Sequence, residues 1–162
     1  MTTLPEYISE SILSSTHTDK AGLEAEMRRY GLDPAKVTFN ADGTIDYDGN
    51  VTLQAKHLTK LPFKFGKVNG YFDISKNELI TLEGCPHTVK SGFYCSFNNL
   101  TSLKDGPEYV GYDYGCSNNN LTSLEGLPKK LNSKLYCYYN PGQFTVEDVL
   151  AVCNISKNKI RV

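Results

Sequence analysis

The sequence predicts an α+β fold: a short solenoid of stacked turns with a parallel sheet, a helical N-terminal cap, and a C-terminal helix plus closing strand. Three observations predict it. CSNNNLTSLEGLP at 116–128 nearly copies CSFNNLTSLKDGP, which stands 21 residues earlier, and ISKNELITLEGCP stands another 21 before that. A fixed period of roughly 20 to 50 residues marks stacked repeat units. Within each unit a short alternating stretch is followed by spaced leucines and then by Gly and Pro. The flanking segments lack the period, as expected of the caps that cover the open ends of a stack.

In register the full units read VNGYFDISKNELITLEGCPHT (68–88), VKSGFYCSFNNLTSLKDGPEY (89–109) and VGYDYGCSNNNLTSLEGLPKK (110–130). A weaker unit at 47–67 keeps Val51, Leu53, Leu58 and Leu61 in the same columns, and a last one opens at Leu131 with LNSKLYCYYN before departing. The pairs Phe72 with Ile74, Phe93 with Cys95 and Leu135 with Cys137 alternate with polar or exposed residues, the mark of a short strand with one buried face. Three residues later comes Asn77, Asn98, Asn119 or Asn140. An asparagine offers donors and acceptors to the backbone of adjacent turns, where an unpaired buried group is costly. Leu79 and Leu82, Leu100 and Leu103, Leu121 and Leu124 then fill the core beyond the bend. Gly84 with Pro86, Gly106 with Pro107 and Gly126 with Pro128 turn the chain back.

The chain divides into an N-terminal helical and hairpin cap at 1–46, the solenoid at 47–140 and a C-terminal cap at 141–162, all in one folding unit. Residues 5–15 suit a short helix after Pro5. Thr18 suits the N-cap of a second, DKAGLEAEMRRY, which Gly31 ends. VTFNADGTIDYDG reads as two strands around a turn at Asp42 and Gly43. Thr145 is the expected N-cap of a helix on which Phe144, Val149, Leu150 and Cys153 share a face. NISKNKIRV echoes DISKNEL and predicts a closing strand, with Lys157, Lys159 and Arg161 guarding its open edge.

Composition sets further bounds. The 162 residues suit one domain. A net charge of -1 with 22% charged residues exerts no general pull toward nucleic acid or acidic membranes. A hydrophobic fraction of 40%, with eleven Tyr and seven Phe, indicates a folded chain. The opening MTTLPEYISESILSS has no basic start, and no apolar run reaches membrane-span length, so a soluble cytoplasmic protein is expected. Of five cysteines, Cys95, Cys116 and Cys137 fall in one column, while Cys85 and Cys153 stand apart. Packed free thiols are predicted, since Cys behaves as a compact hydrophobe.

The motif FxCSxNNLTSL and its relatives resemble the leucine-rich repeat family, whose pattern is LxLxxNxLxxL; the resemblance covers residues 47–140. The short units are most similar to compact bacterial repeats, including those of secreted effectors, and LTSLEGCP and LTSLEGLP resemble repeats in proteins of large tailed bacteriophages. The family resemblance implies a curved stack with its parallel sheet on the concave side. The effector resemblance raises a ubiquitin ligase activity, which in that group uses a Cys followed two residues later by Asp. Here those positions hold His87, Phe97, Asn118, Tyr139 and Ile155, so that reading fails.

Other chemistry fails on specific requirements. Asp46, Asp48 and Asn50 have the spacing that opens a calcium loop, but Val51 replaces the Gly and His57 the closing Glu. There is no CxxC, no His at ligand spacing, no suggested Ser, His and acid relay and no Gly-rich phosphate loop. No catalytic residue, metal or cofactor is expected. The NLT acceptors at Asn99 and Asn120 are by-products of the repeat.

A protein-binding scaffold remains, a monomer with no nucleic-acid or membrane partner. The alternative is a structural or virion-assembly protein that uses the solenoid as a spacer. The phage resemblance suggests an accessory protein that engages a host protein, a defence factor among the candidates, in the bacterial cytoplasm. The expected partner-binding residues are Tyr71, Tyr94, Tyr136 and Tyr138, which alternate with the buried pairs, Phe97 and Tyr139 one step before the Asn, and Tyr112 ahead of its strand. Tyrosine combines apolar area with a polar tip, which suits interfaces.

Overall fold

The computed structural model describes residues 17–162; the helix expected at 5–15 lies outside the described residues. Helix α1 runs from His17 to Arg29, so it begins one residue before the expected cap at Thr18. It ends as predicted at Gly31, which takes φ +80°. The Leu32 N–H reaches Met27 O at 2.9 Å and the Gly31 N–H reaches Arg28 O at 3.0 Å, while Met27 and Leu32 are buried together in the core. This paired closure satisfies carbonyls that a helix end leaves open. Strands β1 (Val37–Phe39) and β2 (Ile45–Tyr47) form the predicted antiparallel hairpin.

The repeats form parallel coils with two short strands each, where the sequence suggested one. The coils through Val110 contribute to one sheet just before the corner and to a second just after it, while the last two contribute strands only to the second. The first sheet has the order β1-β2-β4-β6-β8, with β4 at Phe65–Val68, β6 at Thr88–Val89 and β8 at Tyr109–Val110. The second contains β3 (Val51–Thr52), β5 (Phe72–Asp73), β7 (Phe93–Tyr94), β9 (Tyr114–Gly115), β10 (Leu135–Tyr136) and β11 (Ile160–Arg161), in the order β11-β10-β9-β7-β5-β3. The missed strands centre on the column Val68, Val89 and Val110, whose residues pair in register and are buried. Strand β2 belongs to both the hairpin and the stack, since it pairs antiparallel with β1 and parallel with β4.

The core is a set of columns running along the stack. Val51, Phe72, Phe93, Tyr114 and Leu135 form one, and Leu53, Ile74, Cys95, Cys116 and Cys137 form the next; all are buried. Ring contacts run from the cap into the coils: Tyr30 to Phe63, Phe63 to Phe65, Phe65 to Phe72, Phe72 to Phe93 and Phe93 to Tyr114, with centroids 4.9 to 6.2 Å apart. All five cysteines are free and buried, including Cys85 and Cys153. Burial raises the Cys85 and Cys95 thiols above their ordinary value, and a hydrogen bond with Cys137 followed by burial does the same for Cys116.

The asparagine ladder has the role its column suggested. Asn98 Oδ1 accepts the Leu79 N–H of the preceding coil at 3.0 Å, and its Nδ2 donates to Ile74 O and Cys95 O at 3.0 and 3.1 Å. Asn77, Asn119 and Asn140 repeat this arrangement. At the Gly turn, Gly84 and Gly126 take φ +87° and +91°, but the left-handed residue between them in register is Asp105 at +64°, not Gly106.

At the C-terminus the last coil is closed by α2 (Val146–Val152), which Thr145 caps through a reciprocal bond pair with Asp148. Strand β11 then forms the edge of the second sheet against β10. Arg161 Nη1 donates to Ile160 O at 2.8 Å and Asn158 O at 2.9 Å, and Lys159 Nζ donates to Asn132 O at 2.6 Å. Of the three expected edge guards, Arg161 thus occupies backbone acceptors beside β11, Lys159 binds the preceding coil, and Lys157 instead pairs with Glu147 at 3.6 Å.

Candidate partner-binding face

On the second sheet the buried column alternates with an outward one that reads Thr52, Asp73, Tyr94, Gly115, Tyr136, Arg161 in paired register. Tyr94 and Tyr136 therefore sit two rungs apart, about 9.6 Å, because neighbouring strands are about 4.8 Å apart. Gly115 lies between them. Glycines shape Tyr94 as well: a Cβ at Gly92 would lie 2.6 Å from Tyr94 Cζ, and one at Gly115 would lie 3.3 Å from Tyr94 Cδ1. The ring thus folds back over Gly92 on its own strand with one edge against Gly115. Burial, followed by the Asp113 and Asp73 carboxylates, raises the Tyr94 phenol above its ordinary value.

Where each coil leaves this sheet, one residue takes a left-handed backbone. The column is Ala55, Lys76, Phe97, Asn118 and Tyr139, with φ between 54° and 59°. From Lys76 onward it directly precedes the ladder asparagine, and in the Val110 coil Asn118 is the residue type that tolerates this region. Phe97 and Tyr139 are not, and a bulky side chain here costs about 1–2 kcal/mol. Both are exposed, at 53% and 77%. The Tyr138 and Tyr139 rings meet edge to face with centroids 5.1 Å apart.

The structure brings Tyr94, Phe97, Tyr136, Tyr138 and Tyr139 to one side of the stack, around the small residues of the Val110 coil, Gly115, Ser117 and Asn118. Of the other two expected residues, Tyr71 stands one rung from Gly92 and Tyr112 lies off this sheet. Tyr71 lies toward the N-terminal edge, its hydroxyl 3.1 Å from Thr52 Oγ1. Tyr112 stands in the corner between the two sheets, 64% exposed, near the exposed Tyr109 of β8. Tyr109 belongs to the first sheet, where a two-residue strand leaves no alternation in the sequence to mark it.

The calcium-like trio has a structural explanation. Asp46 Oδ1 accepts the Lys67 N–H at 2.9 Å, Asp48 Oδ1 accepts from Asn69 Nδ2 at 3.0 Å, and Asn50 Oδ1 accepts the Tyr71 N–H at 3.1 Å. Each therefore ties its coil to the next. Among the described residues no group of three or more His, Cys, Asp and Glu has a metal-holding arrangement, and no helix is long and apolar enough to cross a membrane.

In comparison with known proteins, no family model, curated protein or solved structure matches the chain.

Proposed function

We propose that the chain is a non-catalytic scaffold that binds a protein partner on the outward aromatic face of its second sheet. The observation that carries this reading is the pair Phe97 and Tyr139, exposed aromatic residues in a backbone conformation that favours Gly or Asn. Fold stability alone disfavours them there. A surface interaction supplies a reason for them, and local strain of this kind tends to gather at functional sites. The exposed Tyr138 and the half-buried Tyr94 and Tyr136 extend the same patch, and clustered aromatics are characteristic of interfaces.

The resemblance of the repeats to the leucine-rich family, and to tailed-phage proteins within it, supports a more specific proposal. In it the chain is a phage accessory protein that works in the bacterial cytoplasm, as a monomer, and engages a host protein such as a defence factor.

The test is affinity capture from native cells followed by mass spectrometry, repeated with variants. Tyr136→Ala and Tyr138→Ala are expected to lose the captured partner, while Lys104→Glu, away from this face, keeps it. The opposite pattern would remove the face from consideration.

A further inference from the structure

The aromatic face has a spacing and a polarity of charge that together specify an occupant. We infer that it takes a proline-rich segment in the polyproline II conformation, lying along the stack axis with a basic residue at one end and an acidic residue at the other. This inference rests on the protein-binding reading above and names the chemistry of the partner.

The spacing argument begins with Tyr94 and Tyr136, which share a column with only Gly115 between them. Phe97 and Tyr139 repeat the arrangement three residues further along each coil, with Asn118 between them. Both pairs are two rungs apart, about 9.6 Å. A polyproline II helix returns to the same face every three residues, about 9.3 Å. An extended strand returns every two residues, about 6.8 Å, and an α-helix after seven, about 10.5 Å. The polyproline repeat fits best. Such ligands also dock on aromatic-lined grooves, and their exposed carbonyls accept hydrogen bonds. Tyr94 lies over glycines, which suits a ring that stacks a proline rather than one that fills a core.

Charge fixes the ends. Asp73 pairs in register with Tyr94, on the side away from Gly115. Beyond Tyr136 the register neighbour is Arg161, and Lys134 precedes β10. Residues 129–162 contain six Lys and Arg against two acidic residues, so this end of the stack is cationic. From Asp73 to Arg161 is four rungs, about 19 Å, or about six residues of polyproline II. The matching core is Lys-Pro-Pro-Ala-Pro-Pro-Glu, with its third and sixth residues on Tyr94 and Tyr136.

The experiment is a titration of the 15N-labelled full chain with that heptapeptide, followed by amide chemical shifts. Saturable shifts at Gly115, Ser117, Asn118 and Arg161 are expected. Alanine at the third and sixth peptide positions should weaken binding by about tenfold or more. Arg161→Glu should weaken the peptide, and a peptide ending in Lys should recover binding to that variant, a rescue that a folding defect does not produce. Saturable shifts on the first sheet, or binding unchanged in both Tyr94→Ala and Tyr136→Ala, overturn the inference. So does silence toward the heptapeptide when a Thr-Val repeat peptide or oligothymidylate shifts the face, or when Tyr136→Ala abolishes partner capture. The last two outcomes leave the aromatic face standing and remove only its proline-rich occupant.

Discussion

The Leu100 N–H donates to Asn119 Oδ1 at 3.1 Å, across the boundary between two coils. Asn119 Nδ2 in turn donates to Cys95 O at 3.0 Å and Cys116 O at 3.1 Å, so one side chain satisfies buried backbone groups in both coils. Asn119→Ala leaves them unpartnered, at roughly 1–3 kcal/mol for each buried group. Urea unfolding should show a loss of about 2 kcal/mol or more, whereas Ser96→Ala should stay within about 0.5 kcal/mol. Equal midpoints for Asn119→Ala and the parent would show that the ladder does not hold the coils.

Tyr114 occupies the column of Phe72 and Phe93, fully buried, and its hydroxyl finds no hydrogen-bond partner among the described residues. A buried unsatisfied hydroxyl is a net cost. Tyr114→Phe is therefore expected to raise stability by about 1 kcal/mol. A fall of that size would mean that the hydroxyl is partnered in solution.

The buried thiols set an alkaline limit. Cys85, Cys95 and Cys116 lie above their ordinary value of 9.0 in the folded chain, and Tyr114 above 10.0. Above about pH 9 the unfolded chain releases these protons while the folded chain keeps them, so stability falls as pH rises. Each group contributes a slope of up to about 1.4 kcal/mol per pH unit. Unfolding free energies between pH 7 and 10.5 should fall accordingly, and Cys95→Ala should have a shallower slope than the parent. A flat profile would contradict the buried thiol column. Thiol labelling without reductant should count five free groups after denaturation and far fewer before it.

Much of this architecture was legible because the repeat writes each position several times. Asn98 by itself is an ordinary polar residue; in register with Asn77, Asn119 and Asn140 it is a ladder, and the hydrogen bonds match that reading. The first sheet was harder to see. Its strands β6 and β8 are two residues long with a single buried Val each, so no alternation identifies them. Asp105 was obscured by Gly106, which drew the turn assignment one residue away from the left-handed position. Among the candidate site residues, alternation placed Tyr94 and Tyr136 on the outward face. It carried no information about the left-handed column, because backbone conformation is not written in a polar or apolar pattern. Tyr112 lies in the corner between two strands, which in sequence looks like the approach to one.

The opposition between stability and binding at Phe97 and Tyr139 tests the account most directly. Phe97→Asn and Tyr139→Asn place in the left-handed column the residue type already found at Asn118, and each should raise the melting temperature by relieving about 1 kcal/mol of backbone strain. The same variants should lose capture of the native partner, because they remove exposed aromatic anchors. Higher melting temperature with lost capture is the predicted result. Variants that melt lower than the parent and still capture the partner at full strength would contradict the aromatic face as the binding surface.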